Sequence, residues 1–180
     1  MSNNNNNLCT KEDLYKNLET INLWINNVDN KISFALTFAS VILGYILLNG
    51  IPKSFNKFFT IAKLEELSGG DILSVLLIIV LYICNLLSII FFLFGLKSKT
   101  NNAPSSNSNI FFGSISNRNY IQFKRDISNM NEKQLKNQIK EQIFINSDIC
   151  NKKFQNYNKG INLLLISFRL CFVCIILKIL

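Results

Sequence analysis

The sequence predicts a mainly α-helical integral membrane protein with three transmembrane helices. Three apolar segments carry that prediction. Ile72 to Leu96 is a run of 25 residues with no charged side chain. At about 1.5 Å rise per residue such a helix reaches roughly 37 Å, more than the roughly 30 Å hydrocarbon core of a bilayer. A water-soluble helix of that kind would need apolar surroundings on every side, which a chain of 180 residues can hardly supply. Ile32 to Ile51 adds 20 uncharged residues and stops at Pro52. Ile161 to Leu180 adds 20 more with two charges, Arg169 and Lys178. Lys178 can snorkel to the interface, whereas Arg169 sits too far in to do so easily. An interfacial helix is the alternative for this third segment, but its apolar residues surround the helix on all sides.

From the N-terminus, residues 1–9 hold the Asn3–Asn7 tract and are expected to be disordered. The sequence Thr10-Lys-Glu-Asp13 has the form of a capping box. Behind it Leu14, Leu18, Ile21, Trp24 or Ile25, Val28 and Ile32 recur at three and four residues, so 10–31 reads as an amphipathic cytoplasmic helix. No breaker separates it from the first span, 32–51, and one long helix is expected. Nor is that span expected to be a secretory signal, because a polar segment without a basic n-region precedes it and no small-residue cleavage pattern follows. The span carries small residues near one another along the helix, among them Ser33 and Thr37, Ala35 and Ala39, Ser40 and Gly44, which let membrane helices approach closely.

The external loop, 52–71, contains Phe55, Phe58, Phe59, Ile61, Leu64 and Leu67 and predicts a short amphipathic helix on the outer surface, ended by Ser68-Gly69-Gly70. The second span, 72–96, is followed by a cytoplasmic segment, 97–160. Its first part, Thr100 to Asn109, is a flexible loop by composition. Ile110 to Ser116 and Tyr120 to Arg125, joined by Asn117-Arg118-Asn119, predict a small hairpin-like insertion. Asn129 with Glu132 predicts the cap of a further helix, whose stripe of Leu135, Ile139, Ile143, Ile149 or Cys150, Phe154 and Tyr157 leads through Gly160 into the third span, 161–180. The two amphipathic helices are expected to pack together and cover each other's apolar stripes.

Charge sets the expected orientation. The net charge is +8, and eleven of the nineteen basic residues fall between Lys97 and Lys159, with three more (Lys11, Lys16, Lys31) before the first span. The loop between spans one and two has Lys53, Lys57 and Lys63, balanced by Glu65, Glu66 and Asp71. Positive residues gather on the cytoplasmic side, so the N-terminus and 97–160 are placed inside the cell, in a multi-pass protein of the cell membrane.

The chain has no histidine, which removes the usual general base and the commonest metal ligand. It has no P-loop, no dinucleotide fingerprint and no catalytic constellation, so neither an enzyme, a metal site, a cofactor nor a nucleic-acid partner is expected. Five cysteines (Cys9, Cys84, Cys150, Cys171, Cys174) fall in apolar spans or face the reducing cytoplasm, so no disulfide framework is expected. Cys171 and Cys174 read as small packing residues rather than a redox pair.

Candidate functional residues fall in three groups. A phosphate needs backbone amides and cations, and a base needs an aromatic face. Phe112, Gly113, Ser114, Ser116, Arg118, Lys124 and Arg125 offer these together, with Phe111 and Tyr120 nearby. Inside the membrane, counting from the cytoplasmic side at about 1.5 Å per residue puts Arg169 roughly 12 Å deep and Asn85 roughly 16 Å deep. A charge there costs several kcal/mol unless paired or hydrated. Arg169 and Asn85 are therefore expected to face each other or a water-filled seam between protomers. At the membrane edge, Asp29 and Lys31 stand two apart and cannot face each other on a helix, so each needs a partner elsewhere, with Lys152, Lys153 and Asp148 the expected candidates.

Three stretches carry a resemblance to a known family. Trp24-Ile25-x-x-x-Asp29-x-Lys31 precedes the first span, Phe111-Phe112-Gly113-Ser114-Ile115-Ser116 follows the second, and Gln142-Ile143-x-x-Asn146-Ser147-x-Ile149-x-x-Lys152-Lys153-Phe154 precedes the third. In order and position the chain resembles the transmembrane effectors of Pycsar, a bacterial anti-phage system that signals with a cyclic pyrimidine mononucleotide. Family patterns often have Ala before the Asp and after the Lys of the first stretch, where this chain has Val28 and Ile32. The resemblance implies a protein idle until a separate cyclase makes cyclic UMP or cyclic CMP, which then impairs the inner membrane and stops the infected cell. Read without it, the chain has two alternatives: a ligand-independent holin-like or toxin-like pore former, or a small membrane scaffold. Three helices can hardly enclose a channel, so a pore needs several copies of the chain.

Overall fold

The computed structural model describes residues 10–50, 69–97 and 108–179. Those residues form five α-helices and no strand: α1 (Lys11–Tyr45), α2 (Gly69–Leu96), α3 (Phe112–Ser116), α4 (Tyr120–Ser128) and α5 (Glu132–Ile176). A π-helical turn, Ile46–Gly50, follows α1. Three of the helices, α1, α2 and α5, are long and apolar enough to cross a membrane, and α2 is the most apolar. The mainly α, three-span class expected from the sequence is the class observed. The Asn tract, most of the 52–71 loop with its expected surface helix, and most of the Thr100–Asn109 loop lie outside the described residues. Gly69 and Gly70, expected to end that surface helix, are the first residues of α2.

The chain divides into two compact units, one of residues 1–28 and 98–153, the other of 29–97 and 154–180. Both α1 and α5 contribute to each unit.

The second unit holds the apolar segments. Its buried positions follow one rule on all three helices. Along α1 and into the π-helical turn they are Ile32, Ala35, Ala39, Ile42 and Ile46; along α2, Ile78, Leu81, Asn85, Ser88, Phe92 and Gly95; along α5, Gly160, Leu164, Ser167, Cys171 and Cys174. Steps of three and four alternate, a 3.5-residue period, and such a period belongs to helices wound left-handed around one another. Small residues and close contacts bring the three together. A Cβ built on Gly95 of α2 would lie 2.7 Å from Ile32 Cδ1 of α1, and one on Gly160 of α5 would lie 2.6 Å from Phe92 Cε1 of α2. Between α1 and α5, Phe38 and Phe168 pack with 6.1 Å between ring centroids. Cys171 and Cys174 are both buried free thiols in the α5 stripe, packing residues as the sequence suggests.

The first unit begins with the expected capping box. Asp13 N–H donates to Thr10 Oγ1 at 3.1 Å, and the Thr10 hydroxyl and amide donate back to the Asp13 carboxylate at 2.7 and 2.9 Å, which holds the carboxyl below its usual range. Leu14 of α1 and Ile139 of α5 are buried here. The two helices meet at a polar layer, where Gln142 Nε2 donates to Asn146 Oδ1 at 2.8 Å and Asn146 Nδ2 donates to Asn22 Oδ1 at 2.7 Å. A polar layer in a heptad seam fixes register at some cost in stability.

Two expectations are corrected in this unit. The hairpin-like insertion is a pair of short helices. Asn119, expected in a turn, caps α4 by accepting from Ile121 N–H at 2.7 Å, and this local cap outweighs the β preference of Tyr120, Ile121 and Phe123. The cap of α5 is Asn131, not Asn129. Asn131 Oδ1 accepts from Gln134 N–H at 2.9 Å while Gln134 Oε1 accepts from Asn131 N–H at 3.0 Å. Asn129 instead ends α4, its amide donating to Arg125 C=O at 3.1 Å.

Candidate functional site

Chemically distinctive side chains occur in both units. In the second unit three polar residues, Asn85, Ser88 and Ser167, lie on the buried stripes. Asn85 is fully buried, and its Nδ2 donates to Ser167 Oγ of α5 at 3.3 Å. One turn along α2, Ser88 Oγ donates to the backbone carbonyl of Gly160 at 2.8 Å. Gly160 permits this approach because it has no Cβ to push α2 away. Asn85 Oδ1 has no hydrogen-bond partner among the described residues. The result is a polar seam, Asn85–Ser167 and Ser88–Gly160, through an otherwise apolar bundle.

The expected Asn85–Arg169 contact is not formed. Ser167 and Arg169 are two residues apart on α5, and a turn of about 100° per residue sends them to nearly opposite faces. Ser167 points into the bundle and takes Asn85, while Arg169 lies on the exposed face. Sequence reasoning misses Ser167 and Ser88. The signal is present, since Ser88 stands three residues from Asn85 and Ser167 sits in phase with Gly160, Cys171 and Cys174.

Of the membrane-edge residues, Asp29 is half-buried and Lys31 exposed in the second unit. In the first unit Trp24 is 51% exposed, off the α1 stripe, and Lys153 is buried. Lys152 forms an ion pair with Asp148 one turn back on its own helix. Asn146 belongs to the polar layer with Gln142 and Asn22.

The insertion is organised around Arg118. Its Nε–H donates to Ser114 C=O at 2.9 Å, one terminal nitrogen donates to Asn109 Oδ1 at 2.6 Å and to the Asp126 carboxylate at 3.1 Å, and the other donates to Ser108 C=O. Ser108, itself buried, accepts from the amides of Ile110 and Phe111 and so turns the chain into α3. Asn109 N–H donates to Gln138 Oε1 at 3.0 Å, fastening the knot to α5. A guanidinium with five donors in a planar fork suits this joint, and a lysine could not span it. Arg118 is thus committed to holding the insertion together. Ser114 is buried behind it and Ser116 Oγ donates to Gly113 C=O at 3.1 Å. Phe112, its ring centroid 4.8 Å from that of Phe111, is exposed, as are Lys124 and Arg125 on α4. A Cβ on Gly113 would lie 2.6 Å from Phe111 Cε1, so a side chain here would have to displace that ring.

The chain is similar to known proteins over most of its length. A family model described as a Pycsar effector protein domain matches residues 13–180. The Pycsar effector protein GmPycTM of Gulbenkiania mobilis is 34% identical over 174 residues, with 87% of this chain and 87% of the relative covered. No solved structure matches.

Proposed function

The chain belongs to the Pycsar effector family of anti-phage cyclic-nucleotide signalling, and from that premise we propose that it is the ligand-switched, membrane-damaging arm of such a system. A separate cyclase makes cyclic UMP or cyclic CMP on infection. The nucleotide is the activating ligand, bound by the cytoplasmic part of this chain, and the response is loss of inner-membrane integrity that stops the infected cell. The chain itself performs no covalent chemistry.

The observation that carries the membrane half of this reading is Arg169. It lies on the exposed face of an apolar helix, eight residues beyond the start of the 161–180 segment. A cation at that depth is unfavourable against lipid and favourable against water or a polar neighbour. Several copies assembled with Arg169 turned toward a shared seam supply such surroundings. Assembly also supplies the circumference that three helices lack. Positive residues concentrated in 97–160 support an inward-facing ligand-binding part.

Inner-membrane permeability in cells tests the reading. Propidium entry and a potential-sensitive dye are followed in cells expressing the protein, with and without cyclic UMP or cyclic CMP supplied by a cyclase. Damage confined to nucleotide-producing cells is the expected result. Equal damage in both would identify an autonomous pore former, and intact membranes in both would leave a scaffold.

A further inference from the structure

The first unit contains an open cavity of about 950 Å³ where α1 and α5 begin. Lys11 and Tyr15 of α1, Glu132 and Lys136 of α5, and Asn109 ahead of α3 line it, over an apolar floor that includes Leu135. None of these five polar residues belongs to the patch the sequence singled out, and all five come from elements brought together only by folding.

The geometry points to this cavity as the binding site for the activating cyclic nucleoside monophosphate, with Lys11 and Lys136 holding the phosphate. The inference rests on the nucleotide-activated reading above and names its site. Four observations support it. First, the volume is at the upper end of the roughly 300–1,000 Å³ common for small-molecule sites, ample for one mononucleotide. Second, the site already holds an anion beside a cation. Lys136 Nζ donates to the Glu132 carboxylate at 3.0 Å, and that hydrogen bond, with the Lys136 charge and to a smaller extent the Lys11 charge, holds the carboxyl below its usual range. Glu132 is largely exposed, so the ion pair is weak and a phosphate can displace it. Third, Tyr15 offers a ring 43% exposed beside Lys11, whose Nζ lies 5.8 Å from the ring centroid. Cation and aromatic face one turn apart suit a phosphate and a base on the same ligand. Fourth, Asn109 commits its Oδ1 to Arg118, and its Nδ2, without a partner among the described residues, can donate to a ligand. Uracil and cytosine both present a carbonyl oxygen at C2 for such a donor.

The position also gives the ligand leverage. It contacts the first turns of α1 and α5, and these same two helices carry two of the three apolar segments. A ligand drawing Lys11 and Lys136 toward one phosphate therefore acts directly on the helices that supply the membrane spans.

Binding of cyclic UMP and cyclic CMP to the full-length protein in detergent, measured by calorimetry, tests the site. The paired substitution Lys11→Ala with Lys136→Ala is expected to weaken binding at least about tenfold, since charge-assisted contacts to phosphate are the strong ones. Lys11→Arg with Lys136→Arg should retain binding. Lys140→Ala, which removes an exposed charge one turn beyond Lys136, controls for general electrostatics and should leave binding unchanged. Far-ultraviolet dichroism confirms that each variant is folded. Undiminished binding in the paired alanine variant would overturn the site while leaving nucleotide activation standing. Cyclic nucleotide that damages cells without binding the purified protein would overturn the site and direct binding by this chain, while leaving nucleotide-dependent damage standing. If the nucleotides neither bind nor cause damage, the functional reading falls and the site with it.

Discussion

Arg118 and Asn85 show how differently two polar residues can be employed. In sequence Arg118 resembles a ligand contact, because a cation beside Gly and Ser suits a phosphate. Its four acceptors lie between residues 108 and 126, all local in sequence, but their convergence depends on α3 and α4 being helices. A hairpin would have sent them apart, so the misread element produced the misread residue. Arg118→Leu leaves the Asn109 and Asp126 acceptors without their donor and should cost about 2–3 kcal/mol, discounted because water reaches Asp126. Thermal unfolding in detergent checks this, and an unchanged midpoint would deny Arg118 its structural role. Asn85 is legible as an intramembrane polar residue, but its partner is not, because depth along a helix does not say which face of α5 turns inward. A double-mutant cycle of Asn85→Leu and Ser167→Ala should give a coupling of about 0.6 kcal/mol and below about 1.7 kcal/mol, the range found for hydrogen bonds between membrane helices. No coupling would mean that the pair is not joined in the bilayer.

At the scale of elements, the long helices are readable in the sequence and the short ones are not. Spacings of three and four run from Leu14 of α1 to Ile46 of the π-helical turn, and the same rhythm places Asn85, Ser88 and Phe92 inward on α2. Such repetition over many turns fixes helix type and buried face together. Ile110–Ser128 offers only short segments rich in β-branched and aromatic residues, and its helices depend on two side chains that look like loop residues in the sequence: Ser108, which turns the chain into α3, and Asn119, which caps α4. Packing between elements turns on Gly160. Gly160→Ala would bring a methyl group against the fully buried Phe92 ring and separate α2 from α5 at the Ser88 contact, at a cost of about 1–3 kcal/mol. Adding Phe92→Leu should recover part of that loss by making room. Gly44→Ala, with nothing within 4 Å of its Cβ, should leave the stability of the single chain unchanged. Unfolding midpoints for the three variants decide whether the close α2–α5 approach sets the order.

At the scale of the whole molecule, the three spans and their family are legible because hydropathy and three separated motifs do not depend on contacts. The cavity at the starts of α1 and α5 is not, because Lys11, Tyr15, Asn109 and Lys136 are drawn from segments up to 125 positions apart. Arg169 is readable as costly but not as outward-facing. Arg169→Leu should insert and fold normally while losing most nucleotide-dependent membrane damage, which propidium entry measures at matched expression; full damage would remove Arg169 from the assembly. On the proposed reading, nucleotide switches this chain into a membrane-damaging state. Release of a trapped dye from liposomes containing only the purified protein tests that claim most directly. Release that begins on adding cyclic UMP or cyclic CMP, and rises more steeply than linearly with protein density, is the predicted result. Liposomes that stay sealed with nucleotide, or leak equally without it, would contradict the claim.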